Sequence, residues 1–158
     1  MSFEFLKNAT SKFYEVTDDE VNELERRLEF TLPKELKFLY QEIGYGFIND
    51  NKFNANRIMD TYSVFDFRFR NDEYSRHDLS TYDDYENGKL IFFERNESSF
   101  LSIEITDNAE SKIYYYDIEI ATSLKEFFEK ASENDMYFMD DVIKELDERV
   151  RKSKEKSA

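Results

Sequence analysis

The 158-residue chain has no cysteine, no tryptophan, one proline, one histidine and three glycines. Without cysteine, a disulfide framework, a thiolate metal site and a cysteine nucleophile are all excluded, which is compatible with a reducing compartment. The sole histidine, His77, stands in a polar stretch and reads as a solvated loop residue rather than a general base. Gly44, Gly46 and Gly88 form no phosphate-cradling loop, and neither Gly-Lys-Ser/Thr nor His-Glu-x-x-His occurs. No apolar run approaches the roughly 18 residues that cross a bilayer. Residues 1–13 mix Glu4, Lys7 and Lys12 with apolar side chains, unlike a secretory signal. The expectation is a cytoplasmic protein with no cofactor, no metal and no enzymatic activity.

What the chain does have is aromatic mass and negative charge. Sixteen Phe and eleven Tyr within a hydrophobic fraction of 40% supply a packed interior, so disorder is not expected. A chain of this length makes one domain. We place it over residues 1–150, with 151–158 as a charged tail expected to fray. The net charge is -14, unevenly spread: residues 149–158 hold five basic and one acidic side chain, so 1–148 carry -18. Such a body repels nucleic acid and anionic membrane. It attracts a basic partner within a Debye length of about 8 Å at physiological salt.

Local signals order the elements. Thr17 and Glu20 form a capping box, and Val21, Leu24 and Leu28 make one apolar stripe, predicting a helix over 18–29. Pro33 suits the first position of a second helix, whose Leu36, Leu39, Tyr40 and Ile43 face the core and which Gly44 ends. A short strand is expected over 45–48. In 60–70, alternating Phe65, Phe67 and Phe69 suggest a strand while Asp60 or Thr61 suits a helix cap, and both readings stay open. Strands are predicted at 89–94, 100–105 and 112–118, rich in β-branched and aromatic residues and joined by short turns that favour an antiparallel meander. Ser123 and Glu126 make a second capping box before Leu124, Phe127, Phe128 and Ala131. A final helix from about 135 carries Phe138, Met139, Val142, Ile143, Leu146 and Val150. The order, without βαβ alternation, is that of a single α+β domain: an antiparallel sheet, a mixed one being left open, with helices on one side.

These pieces together resemble the SUKH superfamily, which includes a yeast cell-wall assembly regulator and many bacterial immunity proteins. The resemblance rests on Glu25-x-x-Leu28, Leu32-Pro33, the helix reading Leu36-Lys37-Phe38-Leu39-Tyr40, and Gly44-Tyr45-Gly46. It continues with LIFFE at 90–94, IYYY at 113–116 and the stretch 120–127, covering roughly 15–131. It implies a domain that binds a partner protein. Bacterial members typically neutralise a cognate toxin, often a nuclease or deaminase, so the expected function is toxin immunity by occlusion of an active site. A regulatory or scaffolding interaction domain is the alternative. Residues 49–88 and those after 131 match nothing specific in the family.

The most distinctive stretch is 71–88, where Asp72, Glu73, Asp78, Asp83, Asp84 and Glu86 stand against Arg76 alone and are interleaved with Tyr74, Tyr82 and Tyr85. A long connection of this kind within a compact domain is uncommon unless functional or disordered. Carboxylates steer a basic target and tyrosines bury large area at low entropic cost. These nine residues are therefore the expected binding site for a toxin with a basic surface, the acids standing in for nucleic-acid phosphates. A near-match to a calcium loop, formed by Asp83, Tyr85, Asn87, Gly88 and Glu94, is set aside because Tyr85 replaces a ligand and 90–94 reads as strand. The aromatic runs 92–93 and 114–116 read as packing on alternate faces. The last helix is too short to read as a coiled coil, so monomer and homodimer both stay open.

Overall fold

A computed structural model describes residues 1–49, 54–76, 78–96 and 98–157. His77 lies outside the described residues. Among those described, the chain runs β1 (Lys12–Tyr14), α1 (Asp18–Leu28), α2 (Lys34–Glu42), β2 (Tyr45–Phe47), β3 (Arg57–Ile58) and α3 (Thr61–Phe69). It continues with β4 (Lys89–Asn96), β5 (Ser99–Glu104), β6 (Ile113–Tyr115), β7 (Ile118–Ala121), α4 (Leu124–Glu133) and α5 (Met139–Ser157). The strands form one sheet in chain order, every neighbouring pair antiparallel. The α+β fold and its antiparallel sheet are those expected.

Helix α1 starts at its capping box: Thr17 Oγ1 accepts from the Glu20 amide at 3.1 Å and the Glu20 carboxylate accepts from the Thr17 amide at 3.0 Å. Its Val21, Leu24 and Leu28 are buried. Pro33 sits one residue earlier than expected, as the cap of α2 rather than its first helical residue. Gly44 follows the helix at φ +104. A Cβ there would lie 2.0 Å from the Tyr14 carbonyl oxygen, so glycine is what lets β1 approach.

The open question at 60–70 resolves as helix. Asp60 caps it, its carboxylate accepting from the Ser63 amide at 3.4 Å and the Ser63 hydroxyl at 2.6 Å. Thr61, Val64 and Phe67, three apart, form the buried side, while Phe69 is half-exposed. The predicted strand 112–118 is instead a hairpin. Tyr116 takes a left-handed conformation (φ 56), the chain reverses at Tyr116 and Asp117, and β7 returns along β6. The last helix begins at Met139, and it continues through 151–157 where fraying was expected, supported by Arg151 pairing with Glu148 at 3.1 Å and Glu155 at 3.5 Å.

Both faces of the sheet are covered, which the sequence pattern did not anticipate. Phe93, opposite Leu101 in the register, packs its ring on Phe127 and Phe128 of α4. Phe100, next to Leu101 and so on the other face, packs against Phe67 of α3 and against Tyr74 and Tyr82. The connection from β3 to β4 is therefore the second layer of the domain.

Candidate protein-binding surface

The connection is built from α3 outward. Arg70 ends α3 in a left-handed conformation (φ 55) and turns its guanidinium toward the segment that follows. It pairs with Asp83 and Glu86, each at 2.9 Å. Arg68 donates to the carbonyls of Glu86 at 3.1 Å and Lys89 at 2.7 Å. Two arginines of one helix thus staple the far end of 71–88.

Three short 3-10 turns, Asp72–Ser75, Ser80–Tyr82 and Asp84–Glu86, give the segment its form. Leu79, Tyr82 and Tyr85 recur every third residue, the period of such turns, and this places them on one side. Tyr74 and Tyr82 are each only 4% exposed. Tyr82 accepts from the Phe100 amide at 3.1 Å and donates to the Ser98 carbonyl at 3.2 Å, while its ring stacks on Tyr116 at 5.3 Å. The Tyr74 hydroxyl accepts from Arg57 at 3.3 Å, and Arg57 also pairs with Glu94 at 3.0 Å and Asp60 at 3.2 Å. Burial pushes the Tyr74 phenol up to about 12 and the Tyr82 phenol higher still. Tyr85 is half-buried edge-on against Tyr116.

Here the sequence reading needs correction. Tyr74 and Tyr82 are interior side chains, not display residues, because their rings cover the apolar surface of Phe67 and Phe100 while their hydroxyls find hydrogen-bond partners. Asp72, Glu73, Asp78, Asp83 and Asp84 are exposed. Glu86 is half-buried, and burial pushes its carboxyl up although Arg70 opposes the shift. Hydrogen bonds from the Ser80 hydroxyl at 2.7 Å and amide at 3.1 Å hold the Asp78 carboxyl below its usual range. Burial, reinforced by neighbouring Asp72, raises that of Asp66.

The geometry dismantles the calcium-loop near-match, since Glu94 is turned to Arg57 and Asp83 to Arg70. Among the described residues no three acidic, His or Cys side chains are grouped to hold a metal ion. No described helix is long and apolar enough to cross a membrane.

Two further features were missed. On the sheet face toward 71–88, β1 and β2 leave Tyr14 and Phe47 exposed beside a groove of about 380 Å³ lined also by Thr10, Lys12, Asn49, Asn54 and Ala55. Alternation at 12–14 and 45–47 was the available signal. The other is Glu35, whose carboxylate is fully buried and accepts from the amides of Ser111 at 2.8 Å, Leu124 at 3.0 Å and Lys125 at 3.2 Å. Nothing local to Glu35 announces that role.

Residues 18–128, from the first residue of α1 into α4 and including the whole of 71–88, match the family model described as SMI1-KNR4 cell-wall. The chain belongs to the SUKH family. A relative in Bacillus subtilis (strain 168), immunity protein YxxD, is 51% identical over 142 residues, covering 89% of this chain and 97% of its own. The SUKH match ends at Phe128, within α4, so α5 lies beyond it.

Proposed function

We propose that this chain is an immunity protein: it binds a cognate toxin of nuclease type and covers the toxin's basic substrate cleft with the carboxylates of 71–88, working by binding and not by catalysis. The observation that carries the reading is the division of labour inside that segment. Its tyrosines are spent on holding it against the sheet, and Asp72, Glu73, Asp78, Asp83 and Asp84 are thereby held outward on a supported surface. A prearranged acidic surface forfeits little entropy on binding, and it accelerates encounter with a basic partner. Similarity to an immunity protein over nearly the whole chain, and a net charge of -14, support the same reading. Tyr85 and Glu86 sit at the margin of the surface, and Tyr74 and Tyr82 serve as its foundation.

Co-expression with the toxin encoded beside the gene tests the function: rescue from growth arrest and a stable complex are expected, and absence of both overturns it. The surface is tested by replacing Glu73, Asp78 and Asp84 with Ser. Association should slow by about tenfold at low salt, and the difference should shrink as salt rises. Unchanged association and protection would reassign the surface.

A further inference from the structure

Helix α5 is 19 residues, about 28 Å, long. It joins the body at its first turns, where Phe138 and Val142 are buried, and through Arg149, which pairs with Asp117 at 2.9 Å. On another side Ile143, Leu146 and Val150 are 50%, 43% and 54% exposed, at spacings of three and four. Residues 140–148 carry Asp140, Asp141, Glu145, Asp147 and Glu148 against Lys144. Residues 149–157 carry Arg149, Arg151, Lys152, Lys154 and Lys156 against Glu155. The two halves therefore bear equal and opposite charge.

The helix macrodipole favours acid first and base last, and pairs such as Arg149 with Glu145 use some of that charge. Neither gives a reason for three large apolar side chains on the exposed side. A basic toxin does not suit this face either, because its second half is basic. A second copy, laid antiparallel, does: each acidic half meets the other's basic half and the apolar stripes coincide.

We infer that α5 is a self-association surface, pairing antiparallel with α5 of a second copy about a twofold axis near Leu146. A twofold pairing is self-complementary, so one stripe and one charge gradient serve both copies. Ile143 of one copy lies against Val150 of the other, and Asp140, which flanks the stripe, lies beside Arg151 and Lys154, which flank it on the same side. A single helix pair buries less than the roughly 1,200–2,000 Å² of a stable complex, so the association is weak and concentration-dependent. The inference does not rest on the toxin reading.

Sedimentation equilibrium of the full chain across a concentration series tests it. The wild type should move from monomer to dimer, and Leu146→Asp should weaken dimerisation by at least about tenfold, equivalent to about 1.4 kcal/mol. At concentrations where both are monomeric its thermal melt should match that of the wild type, because Leu146 is exposed on the single chain. The decisive arm is a pair of charge-reversed proteins, Asp140→Lys in one and Arg151→Glu with Lys154→Glu in the other. Each alone should be monomeric, and an equimolar mixture should dimerise. A wild type monomeric throughout, a dimer insensitive to Leu146→Asp, or a mixture that stays monomeric overturns the inference. So does a Leu146→Asp protein that loses toxin binding with its mass distribution unchanged.

Discussion

Glu35 caps a helix that begins 89 residues later: its buried carboxylate accepts the Leu124 amide at 3.0 Å. With the Lys125 amide on its other oxygen and Ser123 Oγ accepting from the Glu126 amide at 3.0 Å, the first turn of α4 has its free donors satisfied. Glu126, expected to complete a capping box with Ser123, accepts instead from Thr122, at 2.9 Å from its hydroxyl. An anion at a helix N-terminus also meets the positive end of the dipole. Glu35→Ala should cost about 2–4 kcal/mol, because it strands buried amides, and Glu35→Gln should cost less because one acceptor oxygen remains. Urea denaturation checks this, the midpoint falling while the slope is unchanged.

Arg70 ties α3 to the acidic segment through Asp83 and Glu86. Arg70→Met should lower stability by about 1.5–3 kcal/mol, the range for hydrogen bonds to charged groups. Its more telling effect is local: amides of 80–87 should exchange with solvent faster while those of β4 and β5 keep their protection. Uniform loss of protection across the sheet would contradict a stapling role.

Tyr82 separates foundation from display. Tyr82→Phe keeps the ring stacked on Tyr116 but leaves the buried Phe100 amide without its partner, at a cost of about 1–3 kcal/mol. Tyr82→Ala should cost about 3–5 kcal/mol, as for other large aromatic truncations. Under conditions where Tyr82→Phe stays folded, its association rate with the toxin should equal that of the wild type. A slower rate would return Tyr82 to the contact surface.

Glu86 makes stability depend on pH in a direction opposite to that of most carboxylates. Burial, the larger influence, raises its folded-state value despite Arg70. The unfolded chain therefore ionises first as pH rises, and stability from the protonated form, present below the unfolded value near 4.5, is lost as pH climbs through the folded one. Glu86→Gln mimics the protonated carboxyl. Its stability relative to wild type should increase from pH 4 to pH 7, read as a difference in denaturation midpoint, and a constant difference would refute the burial argument.

What the sequence by itself determined were features whose causes lie within a turn or two of chain. The Thr17–Glu20 box, the Val21–Leu24–Leu28 stripe, Gly44 after α2 and the β-rich runs around β4 and β5 each read locally and each stand where expected. The exposure of the acids of 71–88 other than Glu86 was legible for the same reason, since a carboxylate among polar neighbours stays in water. Only the tertiary structure decided matters that depend on what a distant element supplies. Residues 61–69 form a helix in which Phe65 and Phe69 pack on each other while Phe67, alone of the three alternating phenylalanines, packs on Phe100. Tyr74 and Tyr82 went inward because that same phenylalanine needed covering, and tyrosine, amphipathic, follows whichever side its partners occupy. Glu35 reads locally as an ordinary first-turn acid. Folding brings two unpaired amides of α4 within reach of its carboxylate, and a buried charge is stable only where such donors converge.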